Sequence, residues 1–465
     1  MTDILPNSIS ELTALVINLQ QQITGFQEQI TSLQKTNNQL RDENQQLKLK
    51  LSRHRIDPPP IVKPNTPDNS ATKKRKERVK SYVRFRSVPD KVVFHAYSHC
   101  LHCGTPVTGD SVAYEREIID LPVVKPIVTL HKIIKRHCTG CGRWVAPRVD
   151  WSKLALGHSR FGVGVMSILA TLREVGRLPV RVVGRVVKSL FNLSVSDGEV
   201  VEATHRIANQ GKDLYQNLHQ RLNQKTSVHA DETGWRENGK NGYIWNFSTP
   251  KIRYYIYRLS RGKNVVDEVL TDDFGGVLTT DFYAAYNHLS CPHQRCWAHL
   301  LRHIHQLTEL YPDHEELVTI KQKITKLFTQ GKEIQHQPTL TLRERHCERR
   351  KLESKILRLV KPYLNQPDHP FRKLAKRIDY YLDELFTFVL EPNLDPTNNP
   401  AERAVRHQVI KRKISGGTRS NKGSQTQERL TTFFSTWSVN NLNPLEECRK
   451  LLTNPNYATE FIQEL

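Results

Sequence analysis

Residues 227–236 read SVHADETGWR, and the interpretation of the fold depends on this stretch. Val228 and Ala230 alternate with polar neighbours, which predicts a half-buried β-strand that ends at Asp231. The following Thr-Gly pair is compatible with an ordinary turn, in which Asp231 has only a local role. The alternative is that the strand carries this carboxylate to the edge of a sheet, where it binds a metal ion.

The sequence after this strand predicts a sheet. Asn-Gly occurs twice in residues 237–242, as a tight hairpin requires. A buried strand within residues 275–286 is expected to end at Asp281, and two strands that end together would bring Asp231 and Asp281 to one rim. Two further strands and a short helix are predicted at YIWNFST (243–249), RYYIYRLS (253–260) and NVVDEVL (264–270).

A third carboxylate, Glu402, follows on a helix predicted to begin at about Pro400, 402 − 281 = 121 residues after Asp281. Three carboxylates that meet without a cation repel one another. Two Mg²⁺ ions relieve that repulsion and clamp the attacking and leaving oxygens of a phosphoryl transfer. Glu402 also suits an ordinary helix start after Asn399, or an ion pair with Arg406 one turn later.

The composition indicates a water-soluble protein with a polyanionic partner. The chain has 465 residues, of which 37% are hydrophobic, and its 69 Lys and Arg against 47 Asp and Glu give a net charge of +22. Nucleic acid is the first candidate partner. The longest uncharged apolar stretch, residues 161–172, is too short for the ~20 residues of a membrane span, and no signal peptide is recognisable. We therefore expect a cytoplasmic location.

Residues 12–51 carry a heptad repeat that predicts a coiled coil over residues 10–53, and a single amphipathic helix packed on its own domain is the alternative. β-Branched residues at position a with Leu at position d favour a parallel two-stranded coil, and Asn at position a fixes its register and strand number, so we expect a homodimer or a larger assembly. The a positions are Val16, Ile23, Ile30, Asn37, Asn44 and Leu51, and the d positions are Leu12, Leu19, Phe26, Leu33, Leu40 and Leu47.

A proline-rich, basic linker is predicted at residues 54–85. It contains the run KKRKERVK (73–80), which either binds phosphates or acts as a solvated tether. The residues assigned to DNA binding here are Lys73, Lys74, Arg75 and Lys76.

Residues 86–150 contain two CxxC pairs and are predicted to form a β-rich zinc-binding domain, with IVTLHKIIK (127–135) among its strands. Four thiolates in two such turns fit a closed tetrahedral Zn²⁺ site, and a redox or disulfide role is the alternative. The predicted zinc ligands are Cys100, Cys103, Cys138 and Cys141.

Residues 151–224 are predicted to be helical. Two helices separated by a short turn lie within residues 178–208, and Ser196 with Glu199 forms a capping box at the second. The pair is either a helix-turn-helix DNA reader or a plain helical hairpin.

Four sequence blocks resemble those of bacterial transposases of the insertion-sequence-sixty-six family, over roughly residues 10–440. They are HADETGW (229–235), TTDFYAAY (279–286), CWAHLLRHI (296–304) and NNPAERAVR (398–406), the last of which continues into KRKISGGTRS (411–420). The resemblance implies an Asp-Asp-Glu active site formed by Asp231, Asp281 and Glu402. It also implies an α/β ribonuclease-H-like core with a helical insertion, preceded by a coiled coil and a zinc-binding domain.

On this basis the core comprises residues 225–295 and 393–440, and the helical insertion comprises residues 296–392. No function is assigned to the tail, residues 441–465. The resemblance implies metal-dependent cleavage at the ends of an insertion sequence and strand transfer into target DNA, without a covalent protein–DNA intermediate. Its implied cofactors are two Mg²⁺ or Mn²⁺ ions and a structural Zn²⁺.

The implied partners are double-stranded DNA, as terminal inverted repeats and target, and accessory proteins of the same element in a bacterial nucleoid. The alternatives are a DNA-binding regulator that cuts nothing and a ribonuclease-H-like nuclease that does not join strands. The residues predicted to contact phosphates near the cut are Arg403, Arg406, Lys411, Arg412 and Lys413, with Arg295 and Arg302 on the insertion side.

Two smaller motifs are ambiguous. By ligand type, the segment 291–300 suits a second zinc site, but a packed block at the start of the insertion is favoured. In the loop 415–420, small residues would let backbone amides approach a phosphate, and an ordinary loop is the equal alternative. The candidate ligands in the first motif are Cys291, His293, Cys296 and His299.

Overall fold

The structure is a computed structural model, and its chain divides into two compact units, Met1–Ile119 and Asp120–Leu465. The linker 54–85 lies outside the described residues, and so do its basic residues Lys73, Lys74, Arg75 and Lys76. The same holds for the heptad positions Leu12, Val16, Leu40, Asn44, Leu47 and Leu51. The structure describes residues 17–34, 36–37, 88–109, 111–122, 124–271 and 274–465.

The described part of the heptad repeat forms helix α1, at residues 17–34 and 36–37. Its a and d side chains are exposed in the single chain, which leaves an apolar stripe on the helix surface. The helix agrees with the heptad pattern, and its pairing into a coiled coil stays a prediction. The exposed side chains are Leu19, Ile23, Phe26, Ile30 and Leu33.

Each CxxC pair forms a tight turn of the same kind. The Cys100 amide donates to the Thr105 carbonyl at 2.8 Å, and the Gly104 amide donates to the Cys100 carbonyl at 2.9 Å. In the other unit the Gly142 amide donates to the Cys138 carbonyl, also at 2.9 Å. Both glycines have positive φ, which favours glycine at this place in the turn. All eight cysteines are free thiols, and the zinc site stays a prediction.

The predicted β-rich character of residues 86–150 is largely wrong for the part described. Only β1 (Arg136–His137) and β2 (Trp144–Val145) form strands there, as an antiparallel pair. Residues 127–135 form no strand, because this apolar segment has no neighbouring strand with which to pair in the described chain.

A helical region precedes the sheet, as predicted. Its capping box is present, because the Ser196 side chain accepts the Glu199 amide at 3.3 Å and the Glu199 carboxylate accepts the Ser196 amide at 2.9 Å. The helices are α2 (Val163–Glu174), α3 (Val180–Phe191), α4 (Asp197–Gln210) and α5 (Lys212–Asn223).

The sheet has five strands in the order β5-β4-β3-β6-β7. Strands β3, β4 and β5 are antiparallel neighbours, whereas β6 and β7 run parallel to β3. A mixed sheet covered by helices is compatible with a ribonuclease-H-like core. The strands are β3 (Ser227–Glu237), β4 (Lys240–Ser248), β5 (Arg253–Arg258), β6 (Val277–Thr280) and β7 (His293–Arg295).

Strand β3 does not end at Asp231, which corrects the prediction from its sequence. It continues to Glu237 because β4 pairs with it along this length and places Asn246 opposite Asp231. The hairpin turn is Asn238-Gly239, with φ of 48° and 79°, which fits a type I′ turn. Pairing with β6 ends at His229, so Asp231 still lies beyond the end of its parallel neighbour.

Two hydrophobic cores organise the remaining helices. One joins the sheet to α2, α4, α5 and the C-terminal helices, including residues of the tail such as Cys448 and Phe461. The insertion has a core of its own, which includes Ile304, Ile324 and Phe388. The remaining helices are α6 (Asn264–Val269), α7 (Trp297–Leu310), α8 (Glu315–Gln335), α9 (Leu342–Val360), α10 (Arg372–Tyr380), α11 (Leu382–Leu385), α12 (Asn399–Ser415), α13 (Asn421–Val439), α14 (Pro444–Thr453) and α15 (Tyr457–Glu464), with 3-10 turns at Ala284–Tyr286, Lys361–Tyr363 and Thr387–Val389.

Helix α12 lies across the sheet and packs on β3 and β4. Ala404 of this helix shares a small cluster with Trp235 of β3 and Tyr255 of β5. None of the helices in the described ranges is long and apolar enough to span a bilayer.

Candidate active site

The three predicted acids lie on three different elements. Asp231 is in β3, Asp281 directly follows β6, and Glu402 is in the first turn of α12. Because side chains alternate along a strand, Asp231 lies on the same face as Trp235, which packs against α12. The strand therefore directs the Asp231 carboxylate towards the helix that carries Glu402.

Asp231 lies within electrostatic range of the other acids, but in the described residues the ligand atoms of Asp231, Asp281 and Glu402 do not all come within 4.8 Å of one another. Burial, together with the negative charges of Glu232, Asp281 and Glu402, raises the pKa of Asp231 to about 8. Its Oδ1 accepts the amide of Glu232 at 2.9 Å. Below about pH 8 the neutral form of this side chain is therefore favoured, and positive charge brought to it would favour the ionised form.

Glu232 is a buried acid on the opposite face of the same strand, and the sequence interpretation missed it. The Tyr286 hydroxyl donates to one carboxylate oxygen at 2.8 Å, and Arg261 forms an ion pair with the other at 2.6 Å. Burial nevertheless raises the pKa of Glu232. Alternation along β3 is the one sequence signal that separates the two adjacent acids.

Asp281 is fixed by its own loop and by Arg295. Its Oδ1 accepts the Tyr283 amide at 2.9 Å. The Arg295 guanidinium donates to the Asp281 carbonyl at 3.0 Å, to the Thr280 hydroxyl at 2.9 Å and to Glu384 at 2.5 Å. Arg295 is fully buried, so its predicted contact with DNA phosphates is wrong. It links the second acid to the insertion instead.

Glu402 is tied to β3 through Asn398. The Glu402 amide donates to the Asn398 carbonyl at 3.0 Å, and the Asn398 side chain donates to the Ala230 carbonyl at 2.7 Å. The helix start is thereby placed beside Asp231. The alternative ion pair of Glu402 with Arg406 is not formed in the described chain, and the Glu402 Oε1 atom is buried without a hydrogen-bond partner.

The basic residues of α12 divide by exposure. Arg403, Arg406 and Lys413 are exposed, whereas Arg412 is half-buried and donates to the Gly234 carbonyl. Lys411 is buried and forms an ion pair with Glu174 of α2 at 2.5 Å, so its predicted phosphate contact is wrong. On the insertion, Arg302 is exposed, which leaves its predicted role untested.

The loop after α12 contacts strand β3. The Thr418 amide donates to the Arg236 carbonyl at 2.8 Å, and the Asn238 amide donates to the Thr418 carbonyl at 2.8 Å. Gly417 has a φ of 119°, and a Cβ atom there would lie 2.2 Å from the Arg236 oxygen. Packing against the sheet therefore accounts for this glycine without a phosphate.

The donor set fits a divalent cation. Carboxylate oxygens are the ligands that Mg²⁺ prefers, and a cation would offset both the burial and the negative charges that raise the pKa of Asp231. Next to them, Cys296, His299 and Glu402 place one ligand atom each within 4.8 Å of one another. His293, which was considered with them, instead contacts the Leu289 carbonyl at 3.2 Å.

Comparison with known proteins shows the family of this chain. Residues 158–426 match the model of the family described as Transposase IS66 family, and this range contains all three acids. An uncharacterized protein, y4qI of Sinorhizobium fredii, is 24% identical in an alignment of 269 residues that covers 50% of this chain and 48% of that protein. The chain thus spans about half the length of this relative. The matched range exceeds half of the chain, and the chain belongs to the transposase IS66 family.

Proposed function

We propose that this protein is a DNA transposase that cleaves DNA at the ends of an insertion sequence and transfers the freed ends into target DNA. One observation carries the proposal: the half-buried Asp231 lies on the face of β3 that packs against the Glu402 helix, and burial together with the negative charges of Glu232, Asp281 and Glu402 raises its pKa to about 8. Such a cluster is costly unless it binds cations. Two-metal phosphoryl transfer needs this kind of site.

In this proposal Asp231, Asp281 and Glu402 hold two Mg²⁺ or Mn²⁺ ions. When bound, the ions supply charge neutralisation and an activated water for attack on a phosphodiester. The chain supplies rigidity, because the Tyr283 amide holds the Asp281 carboxylate and Asn398 holds the start of the Glu402 helix. Phosphoryl transfer depends chiefly on position and charge, so no nucleophilic side chain is required.

DNA binding is assigned to exposed cations near the acids. Arg403 and Arg406 lie within one turn of Glu402, and Lys413 extends the same helix. Arg302 adds an exposed cation from the insertion. The net charge of +22 supports a strongly salt-dependent association with the phosphate backbone.

The remaining parts serve assembly and recognition in this proposal. The coiled coil at residues 10–53 pairs two protomers so that two DNA ends are held together, and four cysteines bind a structural Zn²⁺. The zinc domain and helices α3 and α4 read the terminal inverted repeats, with accessory proteins of the element where needed. Support comes from the apolar stripe of α1 and from the two matching CxxC turns.

The test is a strand-joining assay with Mg²⁺ on DNA that carries the inverted repeats flanking the gene. Asp281→Asn keeps the shape of the side chain and removes its charge, so joining is expected to fall by at least about 10²-fold. Asp313→Asn is the matched control, because this aspartate is exposed in the insertion and far along the chain from the acids.

The alternatives predict different outcomes. If wild type and Asp281→Asn bind DNA equally and neither cuts it, with accessory proteins supplied, the protein is a regulator that does not cleave. If wild type cuts but never joins, it is a nuclease. Loss of activity in Asp313→Asn as well would show that the assay reports folding rather than the active site.

A further inference from the structure

Glu402 faces two donors that Mg²⁺ does not prefer. Cys296 is the N-cap of helix α7, His299 lies in the first turn of that helix, and Glu402 lies in the first turn of α12. The Sγ atom, a ring nitrogen and a carboxylate oxygen are all within 4.8 Å of one another. A thiol, an imidazole and a carboxylate thus converge on one point between two helix starts.

Within the described residues, two of the three side chains, His299 and Glu402, each have a buried atom without a hydrogen-bond partner. His299 Nδ1 and Glu402 Oε1 lie 3.5 Å apart, at ion-pair distance, but both are buried and neither has a hydrogen-bond partner in the described chain. The backbone amide of Asn398 donates to the Cys296 sulfur at 3.1 Å. The side-chain Oδ1 atom of Asn398 is also buried without a hydrogen-bond partner in the part of the chain that the structure describes. Unpaired buried acceptors are costly, and a cation would satisfy them.

The other candidate metal cluster in the described residues is already satisfied. His369 accepts the Phe371 amide through Nδ1 at 3.2 Å, and its Nε2 lies 3.3 Å from Glu316. Tyr363 donates to the other oxygen of Glu316 at 2.5 Å. Nδ1 acts as an acceptor, so the neutral ring carries its proton on Nε2, which has no lone pair for a metal. This cluster needs no ion, unlike the one at Glu402.

Ligand chemistry decides which ion fits at Glu402. Mg²⁺ takes oxygen ligands, whereas thiolate and imidazole select Zn²⁺ and similar borderline ions. We propose that Cys296, His299 and Glu402 form a three-donor site for a transition-metal cation of the Zn²⁺ class, with a fourth position open to water. The site differs in donors from Asp231 and Asp281 but shares Glu402 with the proposed active site.

The shared ligand gives this site a regulatory consequence, which rests on the proposed function. A Zn²⁺ ion held by Cys296 and His299 occupies Glu402 and withdraws it from the Mg²⁺ ions at the two aspartates. Zinc therefore inhibits strand cleavage by competing for the third acid. Metal occupancy itself does not depend on any activity and is measured separately.

The first measurement uses Co²⁺ as a spectroscopic substitute for Zn²⁺, with the full-length protein loaded with Co²⁺ in place of zinc, so that the predicted four-cysteine site contributes the same absorption in every variant. Wild type is expected to show a further cobalt–thiolate absorption band, and Cys296→Ser is expected to lose it. Cys291→Ser is the matched control, since this neighbouring buried cysteine lies outside the group and its variant should keep the band. His299→Gln, at a half-buried position, is a second variant that should weaken the band.

An equal band in wild type, Cys296→Ser and His299→Gln would overturn the proposal. So would a cleavage assay in which added Zn²⁺ inhibits wild type and His299→Gln alike, each relative to its own rate without added zinc. A band that depends on Cys296 in a protein that never cleaves DNA would keep the metal site and reject the transposase function. Cleavage by wild type without such a band would keep the proposed transposase function and reject the metal site.

Discussion

Asp231 and Glu232 are adjacent residues of one strand whose environments differ because they point to opposite faces of the sheet. Glu232 has a cation and a hydroxyl as partners, namely Arg261 and Tyr286. Asp231 has a backbone amide and three further carboxylates near it. At the scale of a residue, Glu232 already has its partners within the protein, whereas Asp231 requires a ligand.

The clustered acids at Asp231 predict a stability cost for the proposed active site. Asp231→Asn removes one of the clustered charges, so without divalent metal this variant is expected to be more stable than wild type by about 1–2 kcal/mol. Added Mg²⁺ should raise the melting temperature of wild type and not of the variant, because ligand binding stabilises only the form that binds. Calorimetry with and without Mg²⁺ measures both. A variant less stable than wild type in metal-free buffer would contradict this.

Glu428 predicts a dependence of stability on pH. Burial raises its pKa to about 7, well above the ordinary value of a glutamate, although the Tyr257 amide donates to it at 2.8 Å. A raised folded pKa means that this group's contribution is fully present below the unfolded pKa and is lost as pH rises through about 7.

We therefore expect Glu428→Gln to be more stable than wild type at pH 8, by on the order of 2–3 kcal/mol, and similar to it near pH 4. The amide oxygen of Gln can still accept the Tyr257 amide. Denaturant unfolding at a series of pH values measures the difference. Glu446→Gln is the matched control at an exposed position, where the substitution should change stability by less than about 0.5 kcal/mol.

At the scale of elements, helix α12 is held by a buried ion pair as well as by the sheet. Lys411 and Glu174 are almost fully buried, with side-chain exposures of 3% and 5%. Burial lowers the pKa of Lys411 to about 8. Replacing one residue of such a pair leaves the other charge buried without compensation, whereas replacing both residues with apolar ones leaves no buried charge.

A double-mutant cycle tests this. Lys411→Met is expected to destabilise the protein by about 3–5 kcal/mol, and the double variant Lys411→Met with Glu174→Leu by much less. Lys413→Met, two residues along the same helix and exposed, should change stability by less than about 0.5 kcal/mol. Additive single effects in denaturant unfolding would show that the pair is not coupled.

The loop after α12 gives a second prediction at this scale. Gly417→Ala places a Cβ atom against the Arg236 carbonyl at a φ of 119°, so destabilisation by more than about 2 kcal/mol is expected. Gly198→Ala is the control, because its Cβ would have nothing within 4 Å and it lies in helix α4. Thermal unfolding measures the melting temperature of each variant. Equal melting temperatures for Gly417→Ala and Gly198→Ala would argue that the loop moves away from β3.

Elements with a local signal were predictable from sequence. The hairpin follows from Asn238-Gly239, and the capping box from Ser196 and Glu199, because turn and cap chemistry act within a few residues. The end of β3 was not predictable at Asp231. Its extension depends on pairing with β4, and alternation weakens where polar residues face an active site.

At the scale of the whole molecule, the sequence blocks predict the three acids as catalytic residues, but they do not predict what surrounds them. Arg295 and Lys411 have the charge of DNA-binding residues, yet tertiary packing buries both. A basic residue on a helix carries no sequence signal for its partner when that partner is distant along the chain, as Glu174 is from Lys411. Exposure, unlike residue type, is decided by the assembled fold.

The insertion begins and ends at one place, because the Trp297 amide donates to the Pro396 carbonyl at 3.1 Å and the Asn398 amide reaches the Cys296 sulfur. A segment whose ends meet can grow, shrink or be exchanged without altering the distance that the rest of the chain spans. In evolutionary terms, the insertion is free to diversify while the acids stay in register. For the protein engineer, it is a natural position at which to graft a reporter or a new DNA-targeting module.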